Sequence, residues 1–444
     1  MGEAIDSKHE YILRHPTRAL AALSVAWKIA LFATVANCPG LGYDTSTTLL
    51  IPPATALSTP SSAVWNWIRW DAIYFVRVAE RGYLFEQEWA WGYGYTRLLS
   101  HVSSAFVQSG PVSISAIAIC GVVLSHVAHF LSVLVLHALT KSLFGYDTQS
   151  QRAFCLISAA LHVISPAGAF LSAPYGESIF SLLNLTGFYL YSSALISESA
   201  GRRGRRDTHF LLAGIAFAVA TTVRGNGILS GCLFAYDAIQ GALQLLRQGI
   251  SVDLIRRTGF VVLGGMTVAL GSIIPQFIAF TEYCGGSTRR PWCEQLLPSI
   301  YGWVQAHYWN VGFLKYWTVS NLPLFILAAP MLVIMLYSSF VTPTGRIGPY
   351  PPSRVIDHVH VTQSALARLA IAQGILAFMA LTTFHVQIIN RIASGYPLWY
   401  WCLSSLALEH SKSSGSRTFA VAVQGMAMYA LIQAVLFGSF LPPA

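Results

Sequence analysis

The chain has 444 residues, of which 54% are hydrophobic and 10% are charged, and its mean hydropathy is +0.55. Soluble domains carry about 25% charged residues, so this composition excludes an ordinary soluble protein and indicates a polytopic helical membrane protein. Lysine and arginine exceed aspartate and glutamate by 27 to 18. Because the basic residues are scattered between apolar runs, we attribute the excess to cytoplasmic loops and not to nucleic-acid binding.

Apolar runs recur along the whole chain and predict an all-α protein with ten or eleven membrane spans, the first of which is retained and not cleaved as a signal peptide. A helix needs about 20 apolar residues to cross a bilayer. The runs at 209–223 and 396–409 are shorter, so we expect them to be tilted, broken or re-entrant. The predicted spans are 18–36, 113–138, 153–171, 178–196, 209–223, 227–245, 258–281, 321–340, 365–387, 396–409 and 419–440.

The basic residues predict the orientation of these spans. With a cytoplasmic N-terminus and eleven spans, the basic loops between spans all fall on the cytoplasmic side, as the positive-inside rule requires. The luminal side then receives a first large loop at 37–112, a second at 282–320, and the short connections 172–177, 224–227 and 388–395. We expect interfacial helices in the two large loops of what is otherwise one membrane domain, residues 1–444.

The first luminal loop contains the most distinctive stretch of the chain, from Trp65 to Tyr95, which holds five of the twelve tryptophans. Asp71 follows Arg69 and Trp70 there, in a pattern that predicts a helix. One interpretation is an aromatic-rich interfacial helix whose acid pairs with a neighbouring arginine. The other is a functional carboxylate, which is favoured because four of the five acids in this loop lie within the eighteen residues from Asp71 to Glu88.

Glu86 and Glu88 are candidates for a second carboxylate in the same loop. Two carboxylates can divide the roles of acid and base, or bind a divalent cation through their oxygens. The alternative is a solvated loop, since glutamate is usually exposed.

Two short luminal connections and one turn carry further candidate residues. The segment SPAGAFLSAPYGES, residues 165–178, contains prolines and glycines that break helices and expose backbone groups to a ligand, although Glu177 alternatively caps the next helix. Arg224 in RGNG and Arg391 in NRIASG lie on the side that basic residues usually avoid. A guanidinium offers paired donors to phosphate oxygens; an interfacial snorkelling arginine is the alternative.

The second large loop contains Cys284 and Cys293, nine residues apart. On the luminal side this pair is compatible with a disulfide, whereas zinc binding is disfavoured because no paired histidines stand at ligand spacing. The aromatic segment 297–312 that follows either anchors the protein at the interface or lines a groove for a sugar or a lipid.

These motifs together resemble the PIG-V (GPI mannosyltransferase 2) family, in the order that the family shows, from about Trp65 to Gly395. The residues that carry the resemblance are RWD, SPAGAFLSAPYGES, RGNG, RPWC followed by LPSIYGWVQAHYWNVGFLKYW, and HVQIINRIASG. The long block that contains LPSIYGWVQ is the most specific of these motifs.

The resemblance implies a multi-pass glycosyltransferase of the GT-C class in the endoplasmic reticulum membrane, with a luminal active site. It implies transfer of mannose from dolichyl-phosphate mannose to the first mannose of a glucosaminyl-phosphatidylinositol precursor, which forms the second, α-1,6-linked mannose of a GPI anchor. By resemblance Asp71 is the catalytic base and Trp70 stands beside it. No cofactor or metal is expected, since a lipid monophosphate donor has no diphosphate to neutralise. In fungi the resemblance also suggests a small accessory membrane subunit.

The candidate substrate-binding residues are Arg391 and Arg224 for the donor phosphate, with Asn226, Glu177 and Tyr175 beside them. The nearest alternative function is another dolichyl-phosphate-sugar transferase, such as one that acts on the N-glycan lipid precursor. A lipid transporter or scramblase would show repeats and charged or broken helices near the bilayer midplane, and the sequence shows no such repeat. A non-catalytic subunit of a membrane complex is the third alternative, for which the acids would be dispensable.

Overall fold

The computed structural model describes residues 10–38, 42–50, 64–106, 110, 112–286, 290–349, 356–409 and 414–442. Within these ranges the regular structure is helical and no strand occurs, which confirms the all-α prediction. From Pro16 onward the α-helices are α1 (Pro16–Ala36), α2 (Asp71–Arg81), α3 (Tyr93–Ala105), α4 (Ile114–Phe144), α5 (Gln149–Val163), α6 (Glu177–Ser199), α7 (Arg203–Val223), α8 (Gly231–Gln248), α9 (Val252–Cys284), α10 (Ile300–Trp309), α11 (Leu322–Val341), α12 (Ile356–Thr382), α13 (Ile389–Ile392), α14 (Leu398–Leu408) and α15 (Ser414–Gly438).

Seven helices in the described ranges are long and apolar enough to cross a membrane, namely α1, α4, α6, α9, α11, α12 and α15. The chain is therefore a multi-pass membrane protein. Helix α14, at the predicted short span 396–409, has only 11 residues. It lies inside the protein, with Trp399, Tyr400 and Trp401 fully buried. The total of ten or eleven spans stays a prediction.

The predicted span 153–171 is shorter in the structure than in the sequence pattern. Helix α5 ends at Val163, and a separate 3-10 turn follows at Gly168–Leu171. Pro166 explains the break, because proline cannot donate a backbone hydrogen bond and disfavours helical geometry in the residue before it. The chain between α5 and α6 is consequently an irregular segment that contributes side chains to the site described below.

Helix α6 packs against α4 and α7, and α7 packs in turn against α9. The last pair meets at Gly214 and Gly264, where a Cβ atom added to Gly214 would lie 2.7 Å from the carbonyl oxygen of Gly264. Small residues at such a crossing let two membrane helices approach backbone to backbone. The start of α7 and the turn that follows its end are thereby fixed relative to the rest of the bundle.

The two ends of the bundle carry different polar groups. Helix α6 has 23 residues, which corresponds to a rise of about 33 Å. Near its C-terminal end, Arg257 binds Glu198 at 2.5 Å and Arg206 binds Asp253 at 3.1 Å. At its N-terminal end, the site end, the segments that the sequence placed on the luminal side come together.

Candidate active site

A cavity of about 500 Å³ lies at the site end. This size falls within the range of about 300–1,000 Å³ that is usual for small-molecule sites. Its walls come from segments far apart in the sequence: the start of α2, the loop before α3, the turn after α7, one face of α10, and the chain from the end of α12 through α13.

Four charged residues form one ion-pair cluster beside this cavity. The Arg391 Nη2 atom donates to Asp71 Oδ2 at 2.8 Å, and Arg391 Nε and Nη2 donate to Glu177 Oε1 at 2.9 and 2.7 Å. The Arg224 Nη1 atom donates to the same Glu177 oxygen at 2.7 Å. Two acids and two bases thus neutralise one another, which offsets the cost of removing their charges from water. The structure brings together four residues that the sequence singled out separately.

Arg391 is the centre of the cluster. Its guanidinium lies 4.3 Å from the ring centre of Phe170 and 5.2 Å from that of Tyr175, so aromatic faces add to its stabilisation. Burial disfavours the charge on Arg391, but the carboxylates of Glu177 and Asp71 outweigh burial and raise the guanidinium pKa above its ordinary value. Arg391 is therefore a permanent cation that holds the two acids side by side.

The backbone turn that follows Arg391 is held from two other helices. The carbonyl oxygens of residues 393–395 each accept a hydrogen bond from a buried side chain, which fixes the turn and hence the direction of Arg391. The donors are Trp399 Nε1, Ser181 Oγ, the Tyr400 hydroxyl and Asn184 Nδ2, at distances of 2.9 to 3.2 Å.

Asp71 begins α2, directly after a strained residue. Trp70 has φ 54° and ψ −127°, a conformation that a bulky side chain rarely adopts and that often marks a functional site. The Trp70 indole donates to the carbonyl oxygen of Leu441 at 3.1 Å and stands edge-on to Phe440. The C-terminal residues thus hold Trp70 in place, a contact that the sequence did not reveal because these apolar residues carry no distinctive signal.

The carboxylate of Asp71 is open to the cavity. A third of the side chain, 33%, is exposed, and Asp71 lines the wall. Among the described residues, its hydrogen bond to Arg391 engages Oδ2 and none engages Oδ1. A ligand in the cavity can therefore reach one carboxylate oxygen while Arg391 holds the other.

Arg224 and Asn226 also line the cavity, on the turn after α7. Asn226 Nδ2 lies 3.4 Å from the hydroxyl oxygen of Tyr396. The turn is pressed against the first loop at Gly92, where an added Cβ would lie 1.7 Å from the carbonyl oxygen of the residue before Arg224. Tyr175, by contrast, lies beneath Arg391, fully buried, with its hydroxyl donating to the Arg69 carbonyl oxygen at 3.0 Å.

Glu86 and Glu88 do not reach the cavity. Arg290 donates to both oxygens of Glu86 at 2.7 and 2.5 Å, and the Trp292 indole donates to it at 2.9 Å. Burial raises the pKa of Glu86, but the hydrogen bonds from Arg290 and Trp292 outweigh burial and lower it below the ordinary 4.5. Glu88 accepts from Arg81 at 2.6 Å. Both acids are engaged in holding the loop between α2 and α3.

The same region contains the two cysteines of the second large loop. A disulfide joins Cys284 to Cys293, with the Cα atoms 5.7 Å apart. Trp292, next to the disulfide, belongs with Trp89 to a separate apolar cluster that ties this loop to the first. Within the described residues, no three histidine, cysteine, aspartate or glutamate side chains are grouped as metal ligands would be.

Sequence reasoning missed Trp91 and His385, which line the wall. Of its two interpretations of the segment 297–312, the lining of a groove agrees with the structure for Gln305 and Trp309, which also line the cavity. These two residues stand four apart on α10 and share one helix face. That face could not be assigned to a particular cavity until α10 was placed against the first loop.

Comparisons with known proteins agree with these motifs. The family model described as Mannosyltransferase (PIG-V) matches residues 25–444. GPI mannosyltransferase 2 of Aspergillus oryzae is 50% identical, over 97% of this chain and 98% of the relative. GPI mannosyltransferase 2 of Aspergillus fumigatus is 47% identical, over 97% of this chain and 94% of the relative.

Among solved structures, the oligosaccharyltransferase of Archaeoglobus fulgidus in its apo form is similar with a TM-score of 0.44 and 12% identity, over 95% of this chain and 56% of that chain. The chain spans about half the length of that archaeal enzyme. The family model includes every motif that carried the resemblance, and the Aspergillus relatives match nearly from end to end. The chain belongs to the PIG-V family of membrane mannosyltransferases.

Proposed function

We propose that this enzyme transfers mannose from dolichyl-phosphate mannose to the first mannose of a glucosaminyl-phosphatidylinositol precursor, and so makes the second, α-1,6-linked mannose of a GPI anchor. The family and the names of the relatives support the reaction class and the lipid-linked acceptor. The observation that carries the chemistry is the placement of Asp71 at a cavity wall beside two arginines.

The reaction needs one base and one stabilised leaving group. The O6 oxygen of the acceptor mannose attacks C1 of the donor mannose, and the bond from C1 to the phosphate oxygen breaks. The O6 proton passes to the carboxylate of Asp71, and the bonding electron pair leaves with dolichyl phosphate. Attack from the face opposite the phosphate converts the β-linked donor into an α-linked product.

The two arginines have different roles in the proposed reaction. Arg391 already donates through Nε and Nη2 to carboxylates, whereas Arg224 uses only Nη1 for Glu177 among the described residues. Arg224 therefore has more donors left for phosphate oxygens, and charge-assisted bonds of this kind stabilise a leaving phosphate. Arg391 then acts mainly on Asp71 and Glu177. Since guanidinium groups supply the positive charge, the proposal needs no metal ion and no cofactor.

We also place the enzyme in the endoplasmic reticulum membrane with the cavity on the luminal side. The arginine-rich end of the bundle near Glu198 is opposite the site end, and the positive-inside rule puts it in the cytoplasm. The small accessory membrane subunit stays a prediction.

Complementation of cells that lack the second GPI mannosyltransferase tests this proposal. We expect the wild type to restore GPI-anchored proteins and Asp71→Asn to fail at equal expression, because loss of a general base costs about 10²- to 10⁴-fold in rate. Glu80→Gln is the matched control: Glu80 lies on the same helix, and within the described part of the chain its ion pair is with Arg77 at 2.7 Å. It should rescue like the wild type.

The lipid that accumulates identifies the acceptor. Cells with Asp71→Asn should accumulate the GPI precursor that carries one mannose. If the wild type does not rescue, or if an N-glycan lipid precursor accumulates instead, the assigned acceptor is wrong. Full rescue by Asp71→Asn would show that Asp71 is not the base.

A further inference from the structure

A row of three side chains on α10 forms one wall of the cavity. Tyr301, Gln305 and Trp309 are spaced four residues apart and all line it. Eight residues of helix correspond to a rise of about 12 Å, so the row is an extended surface. It begins beside the turn that carries Arg224, since Tyr301 Cζ lies 3.2 Å from the position of a Cβ on Gly225.

Trp309 contacts a second tryptophan in the cavity wall. The ring centres of Trp91 and Trp309 lie 5.2 Å apart, with the rings edge to face. Tyr74 stacks on Trp91 at 3.8 Å with an interplanar angle of 9°. Trp91 is thereby supported from one side, and both indoles line the cavity and remain partly exposed to it.

Gln305 stands between Tyr301 and Trp309 on the same helix face. Among the described residues, no hydrogen bond engages its side-chain amide, although the side chain is only partly exposed. An amide in an aromatic wall can both donate and accept. Pockets of this composition use a few polar groups to orient a ligand against an apolar lining.

We propose that this α10 row, together with Trp91, is the subsite for the sugar residues of the acceptor. The apolar face of a sugar ring would lie against the indoles, and a sugar hydroxyl would bond to the Gln305 amide. The inference rests on the proposed function and adds the position of the acceptor. Asp71, Arg224 and Arg391 then face the donor phosphate and the reacting C1 atom.

A polyprenyl chain fits this wall less well than a carbohydrate does. The dolichol hydrocarbon has no hydrogen-bonding group, so covering Gln305 with it would leave a buried amide unpaired, which is unfavourable. Carbohydrate offers hydroxyls at the spacing of a ring and a non-polar face as well. The polar residue at the middle of the row therefore favours the sugar of the acceptor over the lipid of the donor.

Separate KM values for the two substrates test the assignment. The enzyme is expressed in membranes that lack endogenous activity and is supplied with dolichyl-phosphate mannose and a synthetic mannosyl-glucosaminyl-phosphatidylinositol. Gln305→Met, a change of similar volume, should raise the acceptor KM about tenfold, as expected for one lost hydrogen bond, and change the donor KM less than about twofold. Trp309→Phe should act in the same direction.

His307→Leu is the matched control, because His307 is exposed on the same helix and does not line the cavity. It should leave both KM values as in the wild type. Acceptors that each lack one hydroxyl give a second readout. For the wild type, one of them should have a KM about tenfold higher than that of the parent acceptor. For Gln305→Met, that acceptor and the parent should have the same KM. A merely structural role for Gln305 would not produce this selective loss, and the folded fraction can be checked by size exclusion.

Three results would overturn the inference: an unchanged acceptor KM in folded Gln305→Met, a rise confined to the donor KM, or no deoxy acceptor that separates the two proteins. The second would assign the row to the donor. Absence of any transfer by the wild type to this acceptor contradicts the proposed function itself, and so the two failures are distinguishable.

Discussion

Glu177 balances the charge of the cavity, and its replacement by glutamine should destabilise the protein more than replacement of an acid at the other end of the same helix. Glu177 is fully buried, and one of its oxygens accepts from both Arg224 and Arg391. In Glu177→Gln the amide still fits, but two partly buried guanidinium groups face the single carboxylate of Asp71.

The magnitude follows from burial. The arginine side chains are only 13% exposed for Arg391 and 19% for Arg224. Removing one partner of such a buried pair costs about 3–5 kcal/mol. The control is Glu198→Gln on the same helix. Its partner Arg257 is only 10% exposed, but the Glu198 carboxylate is 32% exposed and Arg257 has a second acid, Asp237, at 3.6 Å. Because Arg257 keeps that second acid, Glu198→Gln should cost less than Glu177→Gln.

A double-variant cycle tests whether charge balance is the cause. Adding Arg224→Gln to Glu177→Gln returns the cluster to one acid and one base, and the two changes should couple by about 1–3 kcal/mol. The free energy of unfolding can be compared by denaturant titration of the purified protein in detergent. If Glu177→Gln is as stable as Glu198→Gln, or if the two changes simply add, the cluster is not held by mutual neutralisation.

Two further predictions concern the surroundings of the cluster. Gly92→Ala should lower transfer activity at least tenfold, because a methyl group there would lie 1.7 Å from the carbonyl oxygen of the residue before Arg224. Gly259→Ala is the control, since nothing lies within 4 Å of the added atom, and it should keep wild-type activity. Equal transfer rates in the two variants would contradict the reasoning. Glu86 has a pKa held below 4.5 in the folded protein, so its pairing contributes stability fully above about pH 4.5 and loses it as the pH falls through the lower, folded pKa. The stability difference between wild type and Glu86→Gln, measured as protease resistance of the loop after α2, should therefore shrink on acidification; a constant difference from pH 7 to pH 3 would show that the carboxylate charge is not what matters.

The membrane class and the residues of the ion-pair cluster were accessible from the sequence for one physical reason. A charged side chain next to an apolar span is costly, so each of Asp71, Glu177, Arg224 and Arg391 stood out in its own segment. The positive-inside rule then placed all four segments on the same side. Their proximity in the structure is the consequence of that shared side together with the packing of α6 and α7.

What the sequence left open was the partner of each charge. Asp71 and Arg391 are 320 residues apart, and Glu86 and Arg290 are 204 residues apart. Local patterns do not fix contacts at such separations, since these depend on how the helices pack. Hence the sequence offered Glu86 as a second carboxylate beside Asp71, whereas in the structure Asp71 lines the cavity and Glu86 is paired with Arg290.

The geometry of the two arginines links the strained start of α2 to the proposed chemistry. An acid that serves as a base must keep a fixed direction and one free oxygen. Among the described residues Asp71 has both, because Trp70 sets the helix start and Arg391 binds Oδ2 while Oδ1 accepts no hydrogen bond. A departing phosphate gains negative charge at the moment of transfer, so it requires donors that are not already spent on protein carboxylates. Arg224 meets this requirement because Glu177 uses only one of its nitrogens among the described residues. Glu177 thus fixes both arginines but leaves Arg224 with donors for the phosphate of the substrate. A cluster without net charge in the resting enzyme can therefore still stabilise an anion during the reaction.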